Sequence, residues 1–208
     1  MSFAHKISGK NRARKFYFFY SHFCTSEQTK ILDVGYSDKE YSPNDNYLEQ
    51  HYPYPKMITA LGVDDPKEFP KRYPDVKAIK YNGTIFPFAD KKFDIVWSNA
   101  VIEHVGGYEQ QVLFLKEMLR VGKQVYFTTP NRFFPIEVHT RLPFFHWLPK
   151  QYFDFIAKKL NKGWATGKYM HLLSQNNIER LLSDADVKRY KIVHNKFLLF
   201  TIDFAVII

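Results

Sequence analysis

The sequence predicts an α/β protein built on a doubly wound, mainly parallel seven-stranded sheet with an antiparallel C-terminal strand. Three observations predict it. Short apolar runs closed by acids, Gly, Asn or Pro recur through the first two thirds of the chain, as buried parallel strands do. An amphipathic segment with helical spacing separates two of these runs. Two further apolar runs follow near residue 208 with too little chain between them for a crossover, so that pair is antiparallel.

The elements follow in order. Residues 1–29 form an N-terminal helical segment, its helix running from about Asn11 to Phe23 with basic residues first and aromatic ones after. Lys30 to Gly35 is a buried strand entering a tight turn. Met57–Val63, Val76–Tyr81, Phe93–Ser98 and Gln124–Thr128 are the next four strands, stopped in most cases by Asp-Pro, Asn-Gly or Pro. Between the last two, Val112, Leu115, Met118 and Leu119 recur at three- and four-residue spacing and mark the clearest helix. Ile178, Leu181 and Leu182 mark a later one. Val187–Val193 and Phe197–Ile208 read as the final strands, joined by a turn near Asn195. Residues 36–56 and 65–75 are rich in Pro, Asn, Asp and Tyr and are poor ground for crossover helices. Either those helices shrink to a turn or two, or another surface, such as an oligomer contact, covers that face of the sheet.

Composition narrows the class. The 208 residues fit one domain with a single core, and no linker or repeat divides them. Cys24 is the sole cysteine, which leaves no disulfide framework and no cysteine zinc site, and no metal is expected. With no long apolar span and no signal-peptide pattern, a cytoplasmic location is expected. The net charge of +9 is compatible with nucleic acid, an anionic membrane or an acidic substrate. The cations are spread out, however, and a lysine-rich soluble surface explains them more simply.

Function is expected at the carboxyl ends of the strands, where open α/β sheets bind ligands. Asp33, Gly35 and Ser37 follow the first strand, Asp64 the second, Asn82 and Gly83 the third, and Ser98 and Asn99 the fourth. A nucleoside cofactor needs close backbone approach, an acid for ribose hydroxyls and polar groups for a base edge. These residues supply all three. Ile31-Leu-Asp-Val-Gly35, Gly62-Val-Asp64, Ile85-Phe-Pro-Phe-Ala-Asp90, Phe93-Asp-Ile-Val96 and Val101-Ile-Glu-His-Val105 resemble, in order, the successive blocks of class I S-adenosylmethionine-dependent methyltransferases. The likeness is greatest to the type 11 branch, whose members act on quinones, lipids and sugars, and it spans roughly residues 30 to 130.

The resemblance implies a Rossmann-like fold, S-adenosyl-L-methionine as cofactor and methyl transfer as the reaction. Asp33, Gly35 and Ser98 would line the methionine end, Asp64 would accept the ribose hydroxyls, and Asn82 and Gly83 would face the adenine. The chain departs from the family at the loop after the first strand. An acid-x-Gly-x-Gly-x-Gly pattern is usual there, and here Ser37 holds the second glycine position. Asn82 likewise stands where the family has an acid.

Methyl transfer from a sulfonium is an in-line displacement that requires chiefly alignment, with a base only for an acceptor that must lose a proton. His104 and His139, the latter with Glu137, are the candidate bases. Residues 130–172 form an inserted, proline-punctuated aromatic lid region, in which Arg132, Phe133 and Arg141 are candidate acceptor ligands. They suggest a small acceptor of lipid, quinone or glycan type, apolar or anionic, with peripheral membrane contact and homo-oligomer formation as further options. The bland alternative is that these aromatics pack over the sheet. A non-catalytic binding or scaffold protein on the same fold is the competing function, because the glycine loop is reduced. A nicotinamide dehydrogenase lacks its Gly-x-Gly-x-x-Gly here, and no nucleic-acid partner is expected, since neither an Asn-Pro-Pro-Tyr block nor an RNA-binding module is present.

Overall fold

The computed structural model describes residues 3–136, 143–163, 166–167 and 170–208. Seven strands, β1 (Ile31–Val34), β2 (Ile58–Gly62), β3 (Lys77–Lys80), β4 (Phe93–Asn99), β5 (Gly122–Pro130), β6 (Lys191–Phe197) and β7 (Phe200–Ile207), form one sheet in the order β3-β2-β1-β4-β5-β7-β6. The β1–β2, β1–β4 and β2–β3 pairs are parallel, and β7 runs antiparallel to β6. The expected mixed α/β sheet is therefore present. By packing, the chain resolves into two compact units, Met1–Ser98 with Met118–Tyr126, and Asn99–Glu117 with Phe127–Ile208.

In the first unit β1 is buried along its whole length and aligns Ile31 with Ile58 on one side and Ile95 on the other. The Pro- and Asn-rich segments do yield reduced helices: α2 (Tyr47–His51) has five residues and α3 (Phe69–Arg72) four. Such short helices leave sheet surface to cover, and the long α1 (Phe3–Phe23) supplies aromatic rings to cover it. Phe19, fully buried, meets the Trp97 ring edge-on at 4.7 Å and the Tyr126 ring at 5.4 Å. Burying one such ring contributes about 2–3 kcal/mol. Phe16, on the same helix, packs against Tyr47 and His51 of α2.

In the second unit α6 (Gln175–Asp184) starts at a reciprocal cap between Ser174 and Asn177 and buries Ile178, Leu181 and Leu182 completely. The helix α4 (Tyr108–Val121), which continues into the first unit, buries Phe114, Leu115 and Met118. A smaller core gathers Phe153 and Ala157 of α5 (Lys150–Lys159) with Met170.

The turn of the β6–β7 hairpin lies at Leu198-Leu199 and not near Asn195. Asn195 reads as a turn residue, but it is buried inside the hairpin, where its amide donates to the Asp203 carboxylate at 2.6 Å. The register shifts by one residue just beyond it. Leu198 instead takes the left-handed conformation, at φ 54°, a backbone state that costs a leucine about 1 kcal/mol or more.

Candidate functional site

The ends of β1 and β2 are joined by a loop that replaces glycine freedom with hydrogen bonds. Gly35 leaves β1 at φ 111°, which a residue with a Cβ rarely adopts, and its N–H donates to Leu61 at 2.8 Å. Ser37, where the family has glycine, needs no left-handed backbone here. Its N–H donates to Asn46 Oδ1 at 2.8 Å and its carbonyl accepts from Asn46 Nδ2 at 2.9 Å. Asn46 takes on the strained conformation instead, at φ 49°. Asp38 Oδ1 then accepts three backbone N–H groups, from Lys67, Glu68 and Phe69, at 2.8–2.9 Å. Those bonds, the Phe69 amide foremost, hold the Asp38 carboxyl below its ordinary range.

Tyr36 ties the two strand ends together. Its ring fills the space above Gly62, where an added Cβ would lie 2.7 Å from the ring, and its hydroxyl donates to the Asp64 carbonyl at 2.9 Å. Burial, with the charges of Asp38, Asp64 and Asp65, pushes that hydroxyl up to about 12. Ser98, buried on β4, donates to the Val34 carbonyl at 3.0 Å, so it locks β4 to β1.

Beneath this loop lies a carboxyl pair. Asp33 and Glu49 are both buried, and neither side-chain oxygen of Glu49 has a hydrogen-bond partner among the described residues. Two carboxyls taken out of water side by side favour their protonated forms. Burial, then the neighbouring Glu49 charge, raises the Asp33 pKa well above the ordinary range, and burial raises that of Glu49. Glu49 sits in an Asn-Tyr-Leu-Glu stretch with no motif around it, so only packing reveals it.

The end of β2 is open. The Asp64 side chain is exposed and accepts no hydrogen bond among the described residues, whereas Asp65 pairs with Lys80 at 2.8 Å. Gly83, at φ 83°, has only Val63 near the position of a Cβ. Val63 and Ile85, both exposed, flank it and offer apolar surface for a flat ring; their exposure was not legible from the pattern of the chain. The Asn82 side-chain oxygen is engaged in its own turn by the Thr84 and Ile85 amides at 3.0 and 3.3 Å.

These residues fit S-adenosylmethionine. Its ribose diol matches an unengaged carboxylate, and its adenine matches a glycine bordered by apolar side chains.

The second unit holds the remaining candidates. Glu103 is fully buried in a short 3-10 turn, accepts the Thr129 hydroxyl at 3.1 Å and lies 3.9 Å from the Nε2 of the exposed His104. A carboxylate beside an imidazole steadies its orientation. Past β5, Asn131, Arg132 and Phe133 serve two cavities. Arg132 lines one of about 130 Å³ with His146, His171, Leu148, Phe153 and Met170. Asn131 and Phe133 line another of about 280 Å³ with Ser174, His194 and Phe204. His146 and His171 carry no sequence motif. Glu137, His139 and Arg141 lie outside the described residues.

Known proteins agree with this architecture. Residues 50–125 match the family model described as Methyltransferase domain. A S-adenosylmethionine-dependent methyltransferase from Mesorhizobium loti is 11% identical, with a TM-score of 0.56 over 90% of this chain and 95% of that one. One from Methanosarcina mazei is 16% identical, with a TM-score of 0.52 over 90% and 94%. One from Aquifex aeolicus is 17% identical, with a TM-score of 0.52 over 91% and 86%. No curated protein matches in sequence. The fold is that of these structures, and residues 50–125 carry the methyltransferase-domain match within it.

Proposed function

We propose that the chain transfers a methyl group to a small amphiphilic acceptor, a lipid, quinone or glycan-like molecule bearing an anionic group. The observation that carries this reading is the cavity lined by both the Arg132 guanidinium with His146 and His171 and the apolar side chains of Leu148, Phe153 and Met170. Its size suits one end of an acceptor, a phosphate or carboxylate with the first part of an apolar chain.

S-adenosylmethionine supplies a methyl group already activated on a sulfonium. The chain's own residues do the rest. Asp64 accepts the ribose hydroxyls, the Gly83 amide and the Asn82 turn meet the adenine edge, and Asp33, Gly35 and Ser98 border the methionine end. Ser37 shapes that border through its bonds to Asn46. Arg132 and Phe133 hold the acceptor. His104, steadied by Glu103, takes a proton when the acceptor is a hydroxyl.

The test is transfer of a labelled methyl group to matched acceptors with and without a phosphate or carboxylate. Arg132→Ala should raise KM for the anionic acceptor roughly tenfold or more and leave its neutral analogue unchanged. Equal loss on both, or no transfer to any amphiphile by a protein that binds S-adenosylhomocysteine, overturns the acceptor reading.

A further inference from the structure

The β6–β7 turn is a two-residue hairpin loop occupied by Leu198 and Leu199, which are 80% and 91% exposed, between the exposed rings of Phe197 and Phe200. With positive φ at its first central residue alone, such a turn favours Gly there and a polar residue after it. Leucine is worse on both counts: Leu198 is held at φ 54° and both side chains face solvent. Four consecutive exposed apolar residues oppose both stability and solubility, and no packing in the hairpin accounts for them.

The charged residue beside the tip is a cation: Lys196, opposite Thr201, precedes Phe197, while Lys191 lies at the far end of β6 opposite Ile207. A second element of the same unit repeats the combination. Phe144, Trp147, Leu148, Tyr152 and Phe155 are exposed around α5, and Lys158, Lys159 and Lys162 follow on its C-terminal side, with Lys159 over the Phe155 ring at 4.7 Å. Both elements are bonded to the connection after β5: Asn131 donates to the Thr201 carbonyl at 2.9 Å, and the Phe144 N–H donates to Pro135 at 2.8 Å.

We infer that the Phe197–Phe200 hairpin tip, with the α5 aromatics as a second contact, docks the protein peripherally on an anionic phospholipid surface. Apolar and aromatic side chains enter the headgroup boundary while the flanking lysines meet lipid phosphates. The attachment is peripheral, since no described helix is long and apolar enough to cross a membrane. It does not depend on which acceptor is methylated.

The test is co-sedimentation of the full chain, without cofactor, with vesicles of phosphatidylcholine alone and of phosphatidylcholine mixed with equal phosphatidylglycerol. The chain should bind the mixed vesicles, and added salt should weaken binding. The Leu198→Gly/Leu199→Asn double variant suits the turn better than the native residues, so it should keep or raise Tm while lowering vesicle binding roughly tenfold. Leu113→Asp, at an exposed leucine of α4, should bind as the wild type does. Equal binding to both vesicle types, no binding to either, or full binding by the double variant overturns the inference. So does a concentration-dependent dimer that the double variant disperses, which would make the tip a self-association surface.

Discussion

In the first unit Asp38, Asn46 and Tyr36 turn their polar atoms onto the backbone of neighbouring loops, and Phe16 and Phe19 are buried. In the second, Phe133, Trp147, Phe155, Leu198 and Leu199 stand in solvent while Glu103, Asn195 and Asp203 are buried. The first pattern is that of a scaffold holding a small polar ligand by backbone geometry. The second is that of a surface awaiting apolar contact. The difference teaches that one chain can carry both a polar edge tied down by its own backbone and an apolar, cation-bordered face left in solvent.

Mutations can break that contrast. The largest expected effect is from Phe19→Ala, which empties a fully buried ring site and should cost about 3–5 kcal/mol in urea unfolding. The matching change in the second unit, Leu199→Ala, should stay within about 0.5 kcal/mol. Comparable losses from the two would erase the distinction. Gly62→Ala comes next. Its Cβ would press on the Tyr36 ring, so a loss of about 1–3 kcal/mol is expected, with weakened cofactor binding as the loop shifts.

A smaller effect separates two acids of the same loop by pH. The Asp33–Glu49 pair holds its proton more tightly folded than unfolded. Its contribution to stability is therefore full at acidic pH and is lost as pH rises from the ordinary carboxylate range through the raised folded value. Asp38 runs the other way, contributing above its unfolded pKa and losing that contribution as pH falls through its lowered one. Glu49→Gln should flatten the decline on the high-pH side in a Tm-against-pH profile, and Asp38→Asn should flatten the acid side. If each variant altered the opposite side, the assignment would be wrong.

Much of the first unit was legible in the sequence, because a buried parallel strand and the acid or glycine that ends it are local signals. Each of the first five predicted strands overlaps an observed one, and the shrunken crossover helices followed from Pro and Asn content. Glu49 was not legible, since its partner Asp33 is brought to it by packing alone. Tyr36 was hidden for a related reason, as its role depends on a glycine across the sheet. In the second unit Asn195 misled, because burial beside Asp203 overrode its turn propensity. His146 and His171 reach the Arg132 cavity from separate segments, which no spacing rule joins.

The central claim is that the open end of β2 and the tied loop after β1 hold S-adenosylmethionine despite a single remaining glycine. Calorimetric titration with S-adenosylhomocysteine of the wild type and Asp64→Ala tests it most directly. The account predicts saturable binding by the wild type and a loss of about 2–3 kcal/mol, roughly a hundredfold in Kd, in the variant. Undetectable binding by the wild type, or equal affinity in both proteins, would contradict it.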